Sequence, residues 1–351
     1  MATRASAIGM MFTDAGGETL THGGDLGIAR RLFPGAPEPF VDLSTGINPW
    51  PYPSQRFSAG EFARLPQQEA LAAVSAAAAK AYGATSAEQV VVAPGSQILL
   101  PLAASLMPAG PAAVVSPTYA ELARAAALAG HDIRSVESIE QCGGANLVIL
   151  ANPNNPDGRL FTHTLLLRLA QDLHRRDGLL VVDEAFMDVA PPGQSIAADL
   201  AGGNVVVLRS FGKFFGLPGL RLGFALTAPP LARRLRAVLG PWPASSAALA
   251  IGAKALADTA WIERRRKKLA DAAISLDAIL AEAGLEIIGG TDLFRLVRSK
   301  AASALFDHLG RAGIYVRTFP HDATWLRFAL PPTVSARKRL KKALAGFRTP
   351  A

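Results

Sequence analysis

Short apolar segments that alternate with helical patterns between residues 90 and 227 constrain the fold of this chain more than any other feature. The segments are VVVAP, AVVSP (113–117), NLVILAN (146–152), LLVVDEAF (179–186), NVVVLRSF (204–211) and RLGFALT (221–227). Continuously apolar strands separated by helices are typical of a largely parallel sheet that is covered on both faces. The pattern therefore predicts an α/β fold.

The pattern changes after about Pro243. A long alanine-rich helical stretch runs from there to Gly284, and the shorter strand-like segments LEIIG, DLFRLVR, GIYVR and TWLRFAL follow it. This order predicts a long connecting helix and a smaller α+β domain. The residues before position 50 are rich in glycine and proline, and we expect a surface arm there. The predicted boundaries are 1–50 for the arm, 51–242 for the large domain, and 243–351 for the connecting helix with the small domain.

Composition and charge exclude several classes of protein. Half of the 351 residues are hydrophobic and 18% are charged, so a sizeable core can form. The net charge of +8 suits a nucleic acid or an anionic small substrate. The densest basic run, 264–268, lies in a helical pattern without a nucleic-acid motif, so we predict a solvated helix face and no nucleic-acid partner.

The single cysteine, Cys142, excludes an intramolecular disulfide and a cysteine metal cluster, and we predict no metal site. The sequence contains no apolar run of bilayer length, and its first residues lack a proper signal-peptide core. We therefore expect a cytoplasmic enzyme with no membrane partner.

Polar groups follow four of the predicted strands, at the ends where functional groups of such a sheet gather. Ser96 and Gln97 follow VVVAP, NPNNPDG (152–158) follows NLVIL, Asp183 and Glu184 end LLVV, and Lys213 follows VVVLRSF. A helix cap, a turn or an ion pair would explain the first three without any function. An ammonium group among the apolar neighbours of SFGKFFGLPGLRLGF (210–224) must be paired, neutral or covalently used.

Together these groups match the requirements of pyridoxal 5′-phosphate. A lysine that forms a Schiff base needs an apolar site, which lowers its pKa and protects the imine from water. An acid on a neighbouring strand can keep the pyridinium nitrogen protonated, which makes the ring an electron sink. An asparagine can donate to the phenolic oxygen of the ring. Ser210 and Arg221 flank the lysine and can bind a phosphate.

These motifs, spread over most of the chain and including the late WLRFAL, resemble the fold-type-I pyridoxal-phosphate enzymes of the aspartate aminotransferase superfamily. The resemblance implies a large cofactor-binding domain with a mainly parallel sheet and a smaller α+β domain. It implies that Lys213 binds the cofactor covalently, that Asp183 pairs with the ring nitrogen, and that Asn155 contacts the ring O3′. It also implies ring stacking by Tyr119 and a substrate carboxylate on Arg327. The phosphate ligands that it implies are Ser96, Gln97, Ser210 and Arg221.

The N-terminal segment THGGDLGIARRLFPGAPEPFVDLSTGINPWPYP resembles the L-threonine-O-3-phosphate decarboxylases of cobalamin biosynthesis. That resemblance implies decarboxylation of O-phospho-L-threonine to (R)-1-amino-2-propanol O-2-phosphate. It makes His22 and Asn48 candidate substrate ligands; without the resemblance, His22 is explained as a polar arm residue before a Gly-Gly turn. Arg317 is a candidate ligand of the substrate phosphate or a simple strand arginine.

Two other functions stay open. Histidinol-phosphate aminotransferases usually carry tyrosine where this chain has Phe186, which is modest evidence against transamination. A non-catalytic pyridoxal-phosphate scaffold that partners an enzyme of the corrin pathway is the third reading, and the retained Lys213 argues against it. Three positions depart from the family pattern: Leu65 stands where relatives often carry tyrosine, Asp157 where threonine is commoner, and Gly212 where many relatives carry serine or threonine. Because the superfamily usually forms homodimers, we expect a homodimer that acts on a small phosphorylated amino acid.

Overall fold

A computed structural model describes residues 22–348. Its helices are α1 (Leu26–Leu32), α2 (Ala59–Phe62), α3 (Gln68–Tyr82), α4 (Leu99–Ala104), α5 (Glu121–Leu128), α6 (His163–His174), α7 (Phe211–Phe214), α8 (Pro229–Leu239), α9 (Ser246–Ala257), α10 (Thr259–Glu282), α11 (Ala302–Arg311) and α12 (Val334–Gly346). Its strands are β1 (Val41–Leu43), β2 (Val90–Ala93), β3 (Pro111–Val115), β4 (Asp132–Val136), β5 (Leu147–Ala151), β6 (Leu179–Asp183), β7 (Val205–Ser210), β8 (Gly223–Thr227), β9 (Glu286–Thr291), β10 (Phe294–Arg298), β11 (Ile314–Thr318) and β12 (Trp325–Ala329).

The chain divides into two compact units. One is Trp50–Arg266, and the other consists of the described residues of Met1–Pro49 and Lys267–Ala351. The division falls inside α10, whereas the sequence predicts a boundary between residues 242 and 243. The boundaries drawn from the sequence stay predictions.

The unit Trp50–Arg266 contains a seven-stranded sheet in the order β2-β8-β7-β6-β5-β3-β4. Strands β7, β6, β5, β3 and β4 are parallel, and β8 runs antiparallel to both of its neighbours. Every residue of β5, β6 and β8 is buried, which explains why these strands read as continuous apolar runs. The sheet is therefore mainly parallel, as the sequence predicts.

Helices cover both faces of this sheet. On one face, alanine and leucine side chains of α4, α5 and α8 form a core with alternate residues of the strands. On the other face, α3 packs on α9, and Tyr82 of α3 lies edge-on to Phe224 of β8 at 5.8 Å between ring centroids. A residue of a strand therefore faces one of two different helix layers.

The sequence predicts one long helix up to Gly284, and this prediction is wrong in one respect. Two helices, α9 and α10, occupy the stretch and are separated at Asp258. The Asp258 carboxylate accepts hydrogen bonds from the Trp261 backbone N–H at 3.0 Å and from the Tyr52 hydroxyl at 3.2 Å. Aspartate favours helix N-termini for this reason, and the bond to Trp261 marks the start of α10.

The second unit contains a five-stranded sheet in the order β1-β11-β12-β10-β9. Strand β1 pairs in parallel with β11, so part of the predicted surface arm is an edge strand of this sheet. Phe33 of the same segment is buried and packs edge-on against Phe306 of α11 at 5.4 Å. Residues 1–21 of the predicted arm lie outside the described residues. Within residues 22–348, no helix has both the length and the apolar character needed to cross a bilayer.

Candidate active site

The carboxyl ends of the central strands meet at one edge of the seven-stranded sheet. In the register, Gly223 at the start of β8 is opposite both Ala93, the last residue of β2, and Ser210, the last residue of β7. Asp183 ends β6 opposite Leu208 of β7 and Ala151 of β5. The groups that follow these strands in the sequence therefore lie along the same edge, as parallel strands require.

Gly95 allows the side chain of Arg221 to lie directly against the turn after β2. Gly95 has a φ of +94°, and a Cβ atom there would lie 2.6 Å from Arg221 Nη2. Gly223 similarly brings the β8 backbone against the backbone of Ser96. The exposed Arg221 guanidinium therefore lies against the turn that carries Ser96, and the guanidinium and the backbone of this turn are donors suited to a phosphate group.

Lys213 and Asp183 are charged groups at the ends of the central strands β7 and β6. Asp183 is buried, and its Oδ1 accepts a hydrogen bond from the Ala185 backbone N–H at 3.1 Å. Burial raises the pKa of Asp183 to about 6, although the Ala185 hydrogen bond and the positive charge of Lys213 act in the opposite direction. Lys213 is half-buried, with its Nζ 5.5 Å from the ring centroid of Phe186. A buried carboxyl group whose pKa is influenced by a nearby lysine charge is typical of a functional site.

The phenylalanines around Lys213 have a packing role. Phe215 is buried and stacks on Phe211 at 4.3 Å and on Trp261 of α10 at 5.6 Å between ring centroids. Phe214 lies edge-on to Phe215 at 5.2 Å. The short helix α7 is thus fixed by aromatic contacts on both sides of Lys213, which explains the apolar sequence in which the lysine is embedded.

Gln97 and Tyr119 are brought together by hydrogen bonds. The Tyr119 hydroxyl donates to Gln97 Oε1 at 3.1 Å, and Gln97 Nε2 donates to Oε2 of the buried Glu121 at 2.7 Å. Arg124 Nη1 also donates to this carboxylate at 3.1 Å. The amide of Gln97 therefore orients the Tyr119 ring.

The three asparagines of the NPNNPDG loop differ in how deeply they are buried. Asn152 and Asn154 are fully buried, and their amides bond to backbone and side-chain groups of neighbouring loops. Asp157 Oδ1 accepts from Asn154 Nδ2 at 2.8 Å and from the Arg159 backbone N–H at 3.0 Å, so the aspartate is an integral part of the loop. Asn155 is only half-buried and is the asparagine of this loop best placed for a ligand.

The other two positions that depart from the family pattern are Gly212 and Leu65. A Cβ atom on Gly212 would lie 2.8 Å from Pro218 Cα, so the turn before Lys213 has no room for a serine or threonine. Leu65 is 59% exposed, and its side chain offers no hydrogen bond to a phosphate.

Sequence reasoning missed Arg209, which is buried beside this edge of the sheet. Its guanidinium binds the carboxylates of Glu184 and Asp188 at 2.9 and 2.7 Å. The available signal was a charged residue inside the apolar run VVVLRS, because a buried charge requires a partner. The ion pair that the sequence left open for Glu184 is the one with Arg209.

The second unit carries the predicted substrate ligands. Arg327 of β12 is buried, its Nη2 donates to the Ser44 carbonyl at 2.9 Å, and its guanidinium lies 5.0 Å from the ring centroid of Phe294. Arg317 of β11 is directly opposite Arg327 in the sheet and is half-buried. Two guanidinium groups on facing positions favour the binding of an anion.

Ser44, which the sequence analysis did not single out, links Arg327 to the segment that begins at His22. The Gly24 backbone N–H donates to Ser44 Oγ at 2.8 Å, and the Ser44 hydroxyl donates to Asp42 Oδ1 at 2.6 Å. A Cβ atom on Gly23 would lie 2.9 Å from Ser44 Oγ, so the glycine pair after His22 permits this close approach. Asn48, four residues further on, is almost fully buried.

Known proteins match the chain over nearly its whole length. Threonine-phosphate decarboxylases of Pseudomonas aeruginosa and of a Sinorhizobium species are 39% and 40% identical to it, over 95% and 93% of this chain and 99% and 98% of theirs. The crystal structure of histidinol-phosphate aminotransferase from Sinorhizobium meliloti in complex with pyridoxal-5′-phosphate superimposes with a TM-score of 0.82 at 24% identity, over 93% of this chain and 94% of that one.

The resemblance and the fold class predicted from the sequence are both confirmed by these matches. The model of the family described as aminotransferase class I and II matches residues 52–345, which include every residue of the sheet edge described above. The chain therefore belongs to the aminotransferase class I and II family.

Proposed function

We propose that this protein is a pyridoxal-phosphate-dependent decarboxylase that converts O-phospho-L-threonine to (R)-1-amino-2-propanol O-2-phosphate in cobalamin biosynthesis. The observation that carries the proposal is the half-buried Lys213 beside the buried Asp183, at the edge where Arg221 lies directly against the Gly95 turn. The substrate is inferred from the two threonine-phosphate decarboxylases that match the chain from end to end.

The residues present fit the cofactor. Ser96, Ser210 and Arg221 would bind its phosphate, Asp183 its ring nitrogen, Asn155 its O3′ atom and Lys213 its reactive carbon, with Tyr119 stacked on the ring. A phosphate contact from Gln97 would use its backbone N–H, because its side-chain amide already bonds Tyr119 and Glu121. When bound, pyridoxal phosphate accepts the electron pair of the Cα bond that breaks.

Lys213 would hold and move the proton in this reaction. Its Nζ can protonate Cα after carbon dioxide has left, which is the role of a positioned general acid. The half-buried location beside Phe186 limits the access of water to that proton. Asp183 would be held ionised by a positively charged ring nitrogen, since an opposite charge at short range lowers the pKa of a carboxyl group.

Orientation of the substrate would decide which Cα bond breaks, because only a bond perpendicular to the ring releases its electrons into it. We propose that Arg327 binds the substrate carboxylate, and that Arg317, His22 and Asn48 bind the rest of the phosphorylated substrate. A histidinol-phosphate aminotransferase has the same fold, so the fold does not discriminate between the two reactions. Phe186, which lacks the hydroxyl usual in those aminotransferases, supports decarboxylation.

We also propose that the protein is a cytoplasmic homodimer. The superfamily usually forms homodimers with sites at the interface. The single, buried Cys142 is consistent with a reducing compartment.

The first experiment loads the purified protein with pyridoxal phosphate and adds O-phospho-L-threonine without any keto acid. Sustained release of carbon dioxide and aminopropanol phosphate supports the proposal. Lys213→Ala is expected to abolish both turnover and the lysine-dependent absorption band, because no other residue can take over the covalent role. Lys80→Ala, which removes an exposed lysine of α3, is the matched control and is expected to behave as wild type.

Three other outcomes would each contradict part of this proposal. Amino transfer from histidinol phosphate to 2-oxoglutarate without carbon dioxide release would make the protein an aminotransferase. Cofactor binding without turnover of either substrate would favour the scaffold. Full turnover by Lys213→Ala would overturn the proposed chemistry altogether.

A further inference from the structure

Three charged side chains form a buried cluster next to the proposed cofactor site, and the proposed chemistry uses none of them. Arg209, Glu184 and Asp188 are 4%, 0% and 6% exposed. Burying charges costs free energy that their mutual attraction often does not recover, and well-packed apolar residues are frequently as stable. Stability alone is therefore a weak explanation for this cluster.

The guanidinium of Arg209 uses its two ends for two different carboxylates. Nη1 donates to Glu184 Oε2 at 2.9 Å, and Nη2 donates to Asp188 Oδ1 at 2.7 Å. The group also lies 4.2 Å from the ring centroid of Tyr82 in α3, which fixes its plane. A lysine ammonium has neither the fork nor the planar face that these contacts use.

Both carboxylate residues are anchored a second time. Glu184 Oε2 accepts from the Ser195 hydroxyl at 2.6 Å, and Oε1 accepts from the Ile196 backbone N–H at 3.1 Å. Arg266 Nε donates to the Asp188 carbonyl at 2.7 Å, and its guanidinium lies 5.8 Å from the ring centroid of Phe214. The cluster thus reaches the residue that follows Lys213, and it has little freedom to move.

The cluster joins the two segments that carry the proposed cofactor ligands. Glu184 directly follows Asp183 at the end of β6, and Arg209 precedes Ser210 in β7, four residues before Lys213. The backbone joins the same strands, since the Glu184 N–H donates to the Leu208 carbonyl at 2.9 Å. Arg209 extends this connection past the last ladder hydrogen bond, to the point where both strands end.

We propose that Arg209 is a positioning residue that locks the end of β6 to the end of β7 and thereby holds Asp183 and Lys213 at their working separation. The inference rests on the proposed cofactor function. Membership of a buried ion cluster does not by itself require that Arg209 position other residues.

Because Arg209 is charged, its removal should change the pKa of ionisable groups near the proposed cofactor site. The negative charge of Glu184 raises the pKa of Asp183, and Arg209 is the cation that lies against Glu184. Removing Arg209 would leave more negative potential at the site, which raises the pKa of nearby ionisable groups. The titratable or charged groups that surround the cluster are Tyr82 of α3, Asp183 of β6, Lys213 of α7 and Arg266 of α10.

The test compares Arg209→Met and Arg209→Lys with wild type as the loaded protein. The measurements are the midpoint of the pH titration of the bound cofactor's visible absorption band, the Kd for pyridoxal phosphate, and the Tm. We expect Arg209→Met to raise the titration midpoint by roughly 0.5–1 pH unit and to weaken cofactor binding. Arg209→Lys keeps the charge but cannot bridge both carboxylates, so it should still weaken cofactor binding, with a smaller shift of the midpoint.

Arg236→Met is the matched control. Arg236 of α8 donates to the Val90 carbonyl at 2.9 Å, so its loss should lower the Tm and leave the titration midpoint and the cofactor Kd unchanged. If Arg209→Met does not fold, Glu184→Gln and Asp188→Asn each weaken one end of the bridge and are expected to weaken cofactor binding.

Two failures are distinguishable. If wild type forms no Lys213-dependent band, the proposed function fails and this inference fails with it. If wild type forms the band, and the Arg209 variants lower the Tm without changing the titration midpoint or the cofactor Kd, Arg209 is only structural and this inference alone is overturned.

Discussion

Asp183 is a carboxyl group in which burial opposes ionisation, and the protein before cofactor binding should reveal this in its stability. Its pKa is about 6 in the folded chain against 3.8 for a free side chain. The folded state therefore binds more protons than the unfolded state between these values, and stability falls as the pH rises through that window. The loss amounts to at most about 3 kcal/mol, because one pKa unit corresponds to about 1.4 kcal/mol.

Asp183→Asn lacks this titration. In the cofactor-free protein, we expect the free energy of unfolding of wild type minus that of Asp183→Asn to decrease between about pH 4 and 6 and to stay constant above about pH 7. Urea denaturation at several pH values measures the difference, to which the coupling between Asp183 and Glu184 also contributes. A difference that is independent of pH would show that Asp183 is not desolvated in solution.

At the residue scale, the sequence was most informative where a side chain conflicted with its local surroundings. Lys213 stood out because its neighbours are apolar, and Asp183 because it ends an apolar strand. Arg209 conflicts with its strand in the same way, but its partners Asp188 and Tyr82 lie 21 and 127 positions away in the chain. The sequence can indicate that a partner must exist, whereas only the folded chain identifies it.

At the element scale, α7 is a single turn whose position depends on aromatic packing. Four residues are too few to form a stable helix on their own, so tertiary contacts must hold α7 in place. We expect Phe215→Ala to cost about 3–5 kcal/mol of unfolding free energy, because it removes both stacked contacts and leaves a cavity. Chemical denaturation of the cofactor-free protein measures this cost.

Ile274→Ala in α10 is the control, since that side chain is 66% exposed and its truncation should change stability by no more than about 0.5 kcal/mol. Cofactor affinity should fall in Phe215→Ala as well, because α7 carries Lys213. Unchanged stability in Phe215→Ala would mean that the aromatic cluster does not hold this helix.

Elements with a strong internal pattern were predictable, and those defined by partners were not. The periodicity of the sequence predicts a helix around residues 163–176, and α6 begins at His163 and ends at His174. Strand β1 has only three residues, too few for a pattern, and it exists because β11 provides its hydrogen bonds. The break at Asp258 was hidden because alanine-rich periodicity continues on both sides of it.

At the scale of the whole molecule, the alternation of strands and helices predicted a mainly parallel sheet, and the structural match confirms that fold. The order of the strands could not be predicted, because β2 and β8 are neighbours although more than a hundred residues separate them. Strand β8 runs antiparallel to β7 because a short connection joins the end of β7 to the start of β8. That connection contains Lys213 and Arg221.

The proposed homodimer makes the segment 57–65 the strongest candidate for subunit contact. Phe62 and Leu65 are 65% and 59% exposed, and Phe57 lies edge-on to Phe62 at 6.1 Å. Clustered exposed apolar side chains favour association, whereas single ones are common on any surface.

We expect Phe62→Asp to weaken the dimer by at least about tenfold, because a carboxylate at an apolar contact must be desolvated without a partner. Sedimentation velocity over a range of concentrations measures the dissociation constant. Leu128→Asp is the matched control, since Leu128 is 63% exposed on α5 and lies outside the segment 57–65. If wild type is a dimer and Phe62→Asp dissociates no more readily than Leu128→Asp, the subunits associate through another surface.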